Sequence, residues 1–135
     1  MKTAIEIIEE ISKYYIEDPT RRAYRARGCS YLQENGNKCA LGYCFNDKAN
    51  FDYIGDIYDY IESQKEKNLN FSLDQHLKEE YKGHSSSFWK SLQIFHDDEN
   101  NWFTNKQRQT LDYSNPKLTE EGNEFLTILK NKYNN

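Results

Sequence analysis

Four arginines stand within seven residues of this chain, Arg21, Arg22, Arg25 and Arg27, upstream of Tyr31 and Tyr43. A guanidinium presents a planar fork of N–H donors that matches a phosphate, and a tyrosine ring offers a face on which a base can stack. From Thr20 to Lys48, six cations (Arg21, Arg22, Arg25, Arg27, Lys38, Lys48) meet only Glu34 and Asp47. That local balance of +4 leaves −8 to the remainder of a chain whose net charge is −4. The segment reads in two ways. It is a pocket wall for an anionic, nucleotide-like ligand, or a solvated edge whose arginines pair with the acidic stripe Asp52, Asp56, Asp59, Glu62 and Glu66, as surface ions commonly do.

Cys29, Cys39, Cys44 and His96 have the ligand types of a tetrahedral Cys3His zinc site, but the spacings Cys-x9-Cys and Cys-x4-Cys contain no Cys-x-x-Cys knuckle. On one strand, Cys39 and Cys44 differ by an odd number and face opposite sides. Buried thiols filling core gaps are therefore expected, with no metal, no cofactor and no structural disulfide. Cys44 activated by His96 is the nucleophile and base that a small nucleotide-processing enzyme would use. His96-Asp97-Asp98-Glu99 closes a helix with carboxylates that the helix dipole disfavours there. An arginine from the basic segment would compensate them, bringing His96, Asp97 and a guanidinium to one mouth. There His96 orients a ligand or moves a proton; on the structural reading it is a helix-end histidine.

These residues need elements to position them. Thr3 and Glu6 have capping-box spacing, and Ile5, Ile8, Ile11 and Tyr15 recur at helical intervals until Asp18-Pro19. Cys29–Leu32 and Cys39–Phe45 flank Glu34-Asn35-Gly36-Asn37, and Asn-Gly between apolar runs predicts a β-hairpin. After Asn50, Ile54, Ile57, Tyr58 and Ile61 line one side of an amphipathic helix and the acidic stripe the other. A short helical stretch is predicted over Leu73 to Tyr81, and Ser87 to Asp97 reads as a buried, serine-capped helix carrying Phe88, Trp89, Leu92 and Phe95. Asn100 to Pro116 is polar loop pinned by Trp102 and Phe103, and Leu118-Thr119-Glu120-Glu121-Gly122 opens a C-terminal helix. The expected architecture is a single α+β domain, residues 1–135, mostly helical with four to five helices and one small antiparallel hairpin or sheet.

At 135 residues the chain suffices for one domain with a core, and an aromatic content of 15% argues against disorder. Eighteen Lys and Arg against twenty-two Asp and Glu disfavour non-specific binding to nucleic acid or to an anionic membrane. No stretch approaches the roughly 18 apolar residues of a span, and the first ten residues lack a signal-peptide core, which points to the cytoplasm. Leu118-Thr119-x-x-Gly122 looks like the start of terminal helices in winged-helix proteins, but no predicted helix is basic enough to read DNA. Eleven Tyr and seven Phe are enough for both a core and an interface, which leaves room for a homo-oligomer.

Arg21-Arg22-Ala23, Cys29-x-Tyr31, Gly36, Cys39-Ala40-x-Gly42-x-Cys44, Phe88-Trp89-x-x-Leu92-Gln93-x-x-His96-Asp97, Trp102 and Leu118-Thr119-x-x-Gly122 together resemble a group of short proteins encoded by bacteriophages and prophage-bearing bacteria. The resemblance spans most of the chain; members of that group often carry Arg where this chain has Tyr43. It implies a phage-related setting rather than a reaction. In that setting, a small acidic protein counteracts host defence by sequestering a nucleotide signal or by binding a host protein. The surface expected to do so comprises Arg21, Arg22, Arg25, Arg27, Tyr31, Tyr43, His96 and Asp97. The rival surface is the acidic stripe, which fits the basic groove of a host nucleic-acid enzyme.

Overall fold

The computed structural model describes residues 1–18, 21, 31–32, 38–51, 53, 55–98, 101–102 and 118–133. Helix α1 spans Ala4–Glu17 and starts on the predicted capping box: Thr3 Oγ1 accepts the Glu6 N–H at 3.2 Å, and Glu6 Oε1 accepts the Thr3 N–H at 3.4 Å. It buries Ile7, Ile8, Ile11 and Tyr15 and ends at the extended Asp18, which precedes a proline that disfavours helical backbone before it. Helix α2 is one short turn, Ala40–Cys44. Helix α3 spans Ile57–Lys67, capped by Asp56, whose side chain accepts the Asp59 N–H at 2.9 Å. Helix α4, Ser86–Asp97, starts on Ser85, and α5, Glu120–Tyr133, follows Thr119, whose Oγ1 takes the Gly122 N–H at 3.0 Å. Between α3 and α4 the predicted helical stretch is two 3₁₀ turns, Leu73–His76 and Glu79–Tyr81.

Helix α4 is the centre. It packs against α2, α3 and α5, while α5 also reaches α1. Phe88, Trp89, Leu92, Phe95 and His96 fill its inward side, where Tyr15 of α1 meets His96, Tyr133 of α5 meets Phe88, and Trp102 and Phe125 meet Phe95. Gln93, also buried on α4, accepts the first N–H of α3, that of Ile57, at 3.0 Å, a donor with no partner inside its own helix.

The expected α+β architecture is overturned: the described residues form five α-helices and no strand. The predicted second strand, Cys39 to Phe45, is instead α2 and its caps. Cys39 Sγ accepts the Gly42 N–H at 3.3 Å and serves as the N-cap. The reason is a non-local contact. A Cβ built on Gly42 would lie 2.0 Å from the Tyr31 carbonyl oxygen, so the Tyr31 backbone lies directly on the turn at the one residue without a side chain. Of the predicted pairing only an isolated antiparallel bridge, Leu32 to Lys38, is present, and the Asn35-Gly36 turn lies outside the described residues. In α3, which begins at Ile57 rather than near Asn50, Tyr60 faces inward and Tyr58, expected on the inner side, is exposed.

Candidate functional site

The C-terminal end of α1 brings together two residues of the predicted anion surface, Arg21 and Tyr43. A helix end leaves its last carbonyls without helical partners, and α1 has no basic residue in its last turn. Arg21 supplies one: its Nη1 donates to the Tyr14 carbonyl at 3.0 Å and to Glu17 Oε2 at 3.4 Å. The guanidinium lies over the Tyr14 ring, 4.6 Å from its centroid. Lys38 joins the same corner. Its N–H reaches the Arg21 carbonyl at 3.4 Å, and its own carbonyl accepts the Tyr15 hydroxyl. Tyr43 closes the row, its ring 4.9 Å from that of Tyr14. Arg22, Arg25, Arg27 and Cys29 lie outside the described residues.

The other predicted residues part from this corner. Tyr31 is 0% exposed and packs edge-on against Phe45 and Tyr60, at 5.2 and 5.3 Å, so its ring is core and not a stacking platform. His96 is also 0% exposed. Its Nδ1 lies 2.6 Å from Asp97 Oδ1, and its ring stands 4.7 Å from that of Tyr15. The Tyr14 and Tyr15 rings touch at 5.0 Å, so Arg21 and His96 lie against adjacent residues of α1. Arg21 belongs to the partly exposed side, while His96 sits inside the core rather than at a mouth. Trp89 and Trp102 are buried as expected, and the Trp102 indole N–H donates to the Phe95 carbonyl at 3.2 Å.

The two described thiols lie in the core. Cys39 and Cys44 are free and buried, and burial, followed by the charge of Glu10, pushes the Cys44 thiol well above its ordinary range. A thiol so placed is not the thiolate that nucleophilic catalysis requires. Among the described residues no three His, Cys, Asp or Glu side chains are arranged to hold a metal ion.

A second polar cluster escaped the sequence reading. Glu10 on α1 accepts the Tyr81 hydroxyl at 2.8 Å and the Tyr43 hydroxyl at 3.1 Å on Oε2, and Lys2 Nζ lies 2.5 Å from Oε1. Burial by itself would raise the Glu10 pKa. The bonds from Lys2, Tyr81 and Tyr43 outweigh it and hold the carboxyl below its usual value of 4.5. Burial and the Glu10 charge push Tyr43 up to about 12 and Tyr81 well above its ordinary range, so both phenols remain donors. The cluster ties the N-terminus, α1, α2 and the second 3₁₀ turn together. No pattern in the sequence marks it, since Glu10 follows Glu9 in what reads as an exposed acidic pair.

Comparison with protein-family models, with curated proteins and with solved structures finds no match to this chain. The resemblance to the phage-encoded group therefore rests on the residues themselves. No described helix is long and apolar enough to cross a membrane.

Proposed function

We propose that this chain is a non-catalytic binding protein that takes an anionic, nucleotide-like ligand at the Arg21 end of α1, and that it serves in phage counter-defence in the host cytoplasm. The observation that carries the reading is the Arg21 guanidinium held 4.6 Å from the centroid of the Tyr14 ring, which the Tyr43 ring also contacts. One N–H group is committed to the helix end and to Glu17. A guanidinium has five donors in a fixed fork, so the remaining edge is preorganised to meet a phosphate. The residues downstream, Arg22, Arg25 and Arg27, extend the same charge along the chain. The non-catalytic part draws on the buried Cys44 thiol and the buried His96 ring. The phage setting draws on the resemblance alone.

The test is calorimetric titration of the protein with mono-, di- and cyclic nucleotides, repeated with Arg21→Ala and with the double substitution Arg22→Ala and Arg25→Ala. Loss of a charge-assisted hydrogen bond worth about 1.5–3 kcal/mol weakens binding roughly ten- to a hundredfold. Unchanged binding in both variants, with the fold intact, contradicts the reading. A second reading is favoured by Asp59, Glu62 and Glu66, which lie exposed along α3 at helical spacing. They present a carboxylate row to a basic partner surface, and inhibition of a host nucleic-acid enzyme that survives reversal of those three charges rules that reading out.

A further inference from the structure

His76 sits at the end of the first 3₁₀ turn, half-buried, with its ring 4.8 Å from that of Phe71. Its Nδ1 lies 2.7 Å from the Tyr60 hydroxyl. Tyr60, on α3, is 0% exposed, and the same hydroxyl accepts the Asn50 N–H at 2.9 Å. A phenol has one proton. With the Asn50 amide already donating to the oxygen and Nδ1 the one acceptor that the described residues place within reach of the hydroxyl, the Tyr60 proton is assigned to Nδ1, which makes Nδ1 the acceptor and puts the ring proton on Nε2. One hydroxyl thus joins three segments: the loop over residues 46–51, helix α3 and the turn that carries His76.

We propose that His76 is a proton-sensitive latch, which while neutral holds the 46–51 loop on α3 through Tyr60 and which releases that loop when protonated. A proton taken from solvent can only go to Nδ1. The ring then donates where it had accepted, and the Tyr60 hydroxyl, already an acceptor from Asn50, is left with a buried proton and no acceptor among the described residues. A buried donor without a partner is costly, so the chain from Asn50 to His76 opens. Burial and one cation act against a charged ring. Tyr60 from α3 is neutral, Phe71 is apolar, and Asp74 on the same turn is engaged with the Gly83 N–H at 3.2 Å. Lys48, from the loop itself, repels a charged imidazole; burial first and this lysine second hold the ring below its ordinary value of 6.5. The base of the loop stays tied when the latch opens. Asn46 N–H donates to the His76 carbonyl at 2.9 Å, and the Asn46 side-chain amide donates to the Gln75 and Leu77 carbonyls at 3.0 and 3.1 Å. Opening therefore hinges at Asn46.

The experiment is amide hydrogen exchange at Asn50 in the full chain across the His76 titration, corrected for the intrinsic pH dependence of exchange, with the ring followed by its nitrogen shifts. The Asn50 opening constant should rise about tenfold for each pH unit lowered between 6.5 and the titration midpoint of the folded ring. Amides in the middle of α4 should not share the rise. His76→Gln, whose carbonyl accepts the Tyr60 proton at every pH, should flatten the profile. The proposal is overturned if Asn50 protection stays constant through the titration, if all amides lose protection together, or if Nδ1 carries the proton at neutral pH. The wild-type profile decides the matter alone should the variant fail to fold.

Discussion

Replacing Gly42 with alanine tests the central packing contact of the fold. On a free helix surface the change stabilises by about 1 kcal/mol, because alanine loses less backbone freedom. Here the new methyl would stand 2.0 Å from the Tyr31 carbonyl oxygen and 2.9 Å from its carbonyl carbon. Both are main-chain atoms, and Tyr31 is locked by Phe45 and Tyr60, so no side chain can swing aside. The two backbones must separate by more than an ångström. Overpacking of this kind typically costs about 1–3 kcal/mol and sometimes more. Because both clashing atoms are main chain, the upper end of that range applies; with the helix gain subtracted, a net loss of about 2 kcal/mol is expected, which in a domain of this size lowers Tm by roughly 6–10 °C. Thermal and urea unfolding of the variant measure it. An unchanged or raised Tm would refute the argument, and it is also what a strand at residues 39–45 would give, since glycine weakens a strand.

Glu10→Gln should remove the pH dependence that this carboxylate contributes. Its folded pKa lies below the usual 4.5, so its stabilisation is complete above that value and is lost as the pH falls through the folded one. Acid unfolding of the variant, read as Tm against pH, should be flatter below pH 4.5 than in the wild type. Tyr81→Phe deletes one hydrogen bond to the half-buried carboxylate and should cost about 1 kcal/mol in urea unfolding. Cys39 and Cys44 should resist alkylation in the native protein and react on unfolding, as read by peptide mapping; rapid native labelling of Cys44 would restore the nucleophile. Arg21→Ala should change stability by less than about 1 kcal/mol, since its ion pair with Glu17 is exposed, while still weakening anion binding.

The parts of the fold that were legible in the sequence are those built from local chemistry. Thr3 with Glu6, Ser85 before Phe88, and Thr119 before Gly122 are capping relations within one turn, and each stands where its helix begins. The hairpin failed because Cys39 to Phe45 is a short apolar run, and such a run does not distinguish a buried strand from a turn of helix. What decides between them is the Tyr31 backbone resting on Gly42, a contact across eleven residues. For the candidate site, burial of single rings was likewise not legible. Tyr31 was a plausible stacking ring until Phe45 and Tyr60 closed around it, and His96 a plausible base until Tyr15 covered it. The Glu10 cluster draws on residues 2, 43 and 81, a combination without any local signature. Tyr31, Gly42, Trp89, His96 and Trp102 build the core.

The claim of an anion-binding corner is tested most directly by native mass spectrometry of the protein purified from cells, beside the same sample denatured. A mass excess equal to a nucleotide, lost in the Arg21→Ala protein while the fold persists, is the predicted result. A bare chain in both proteins, together with no uptake of added nucleotides, contradicts it.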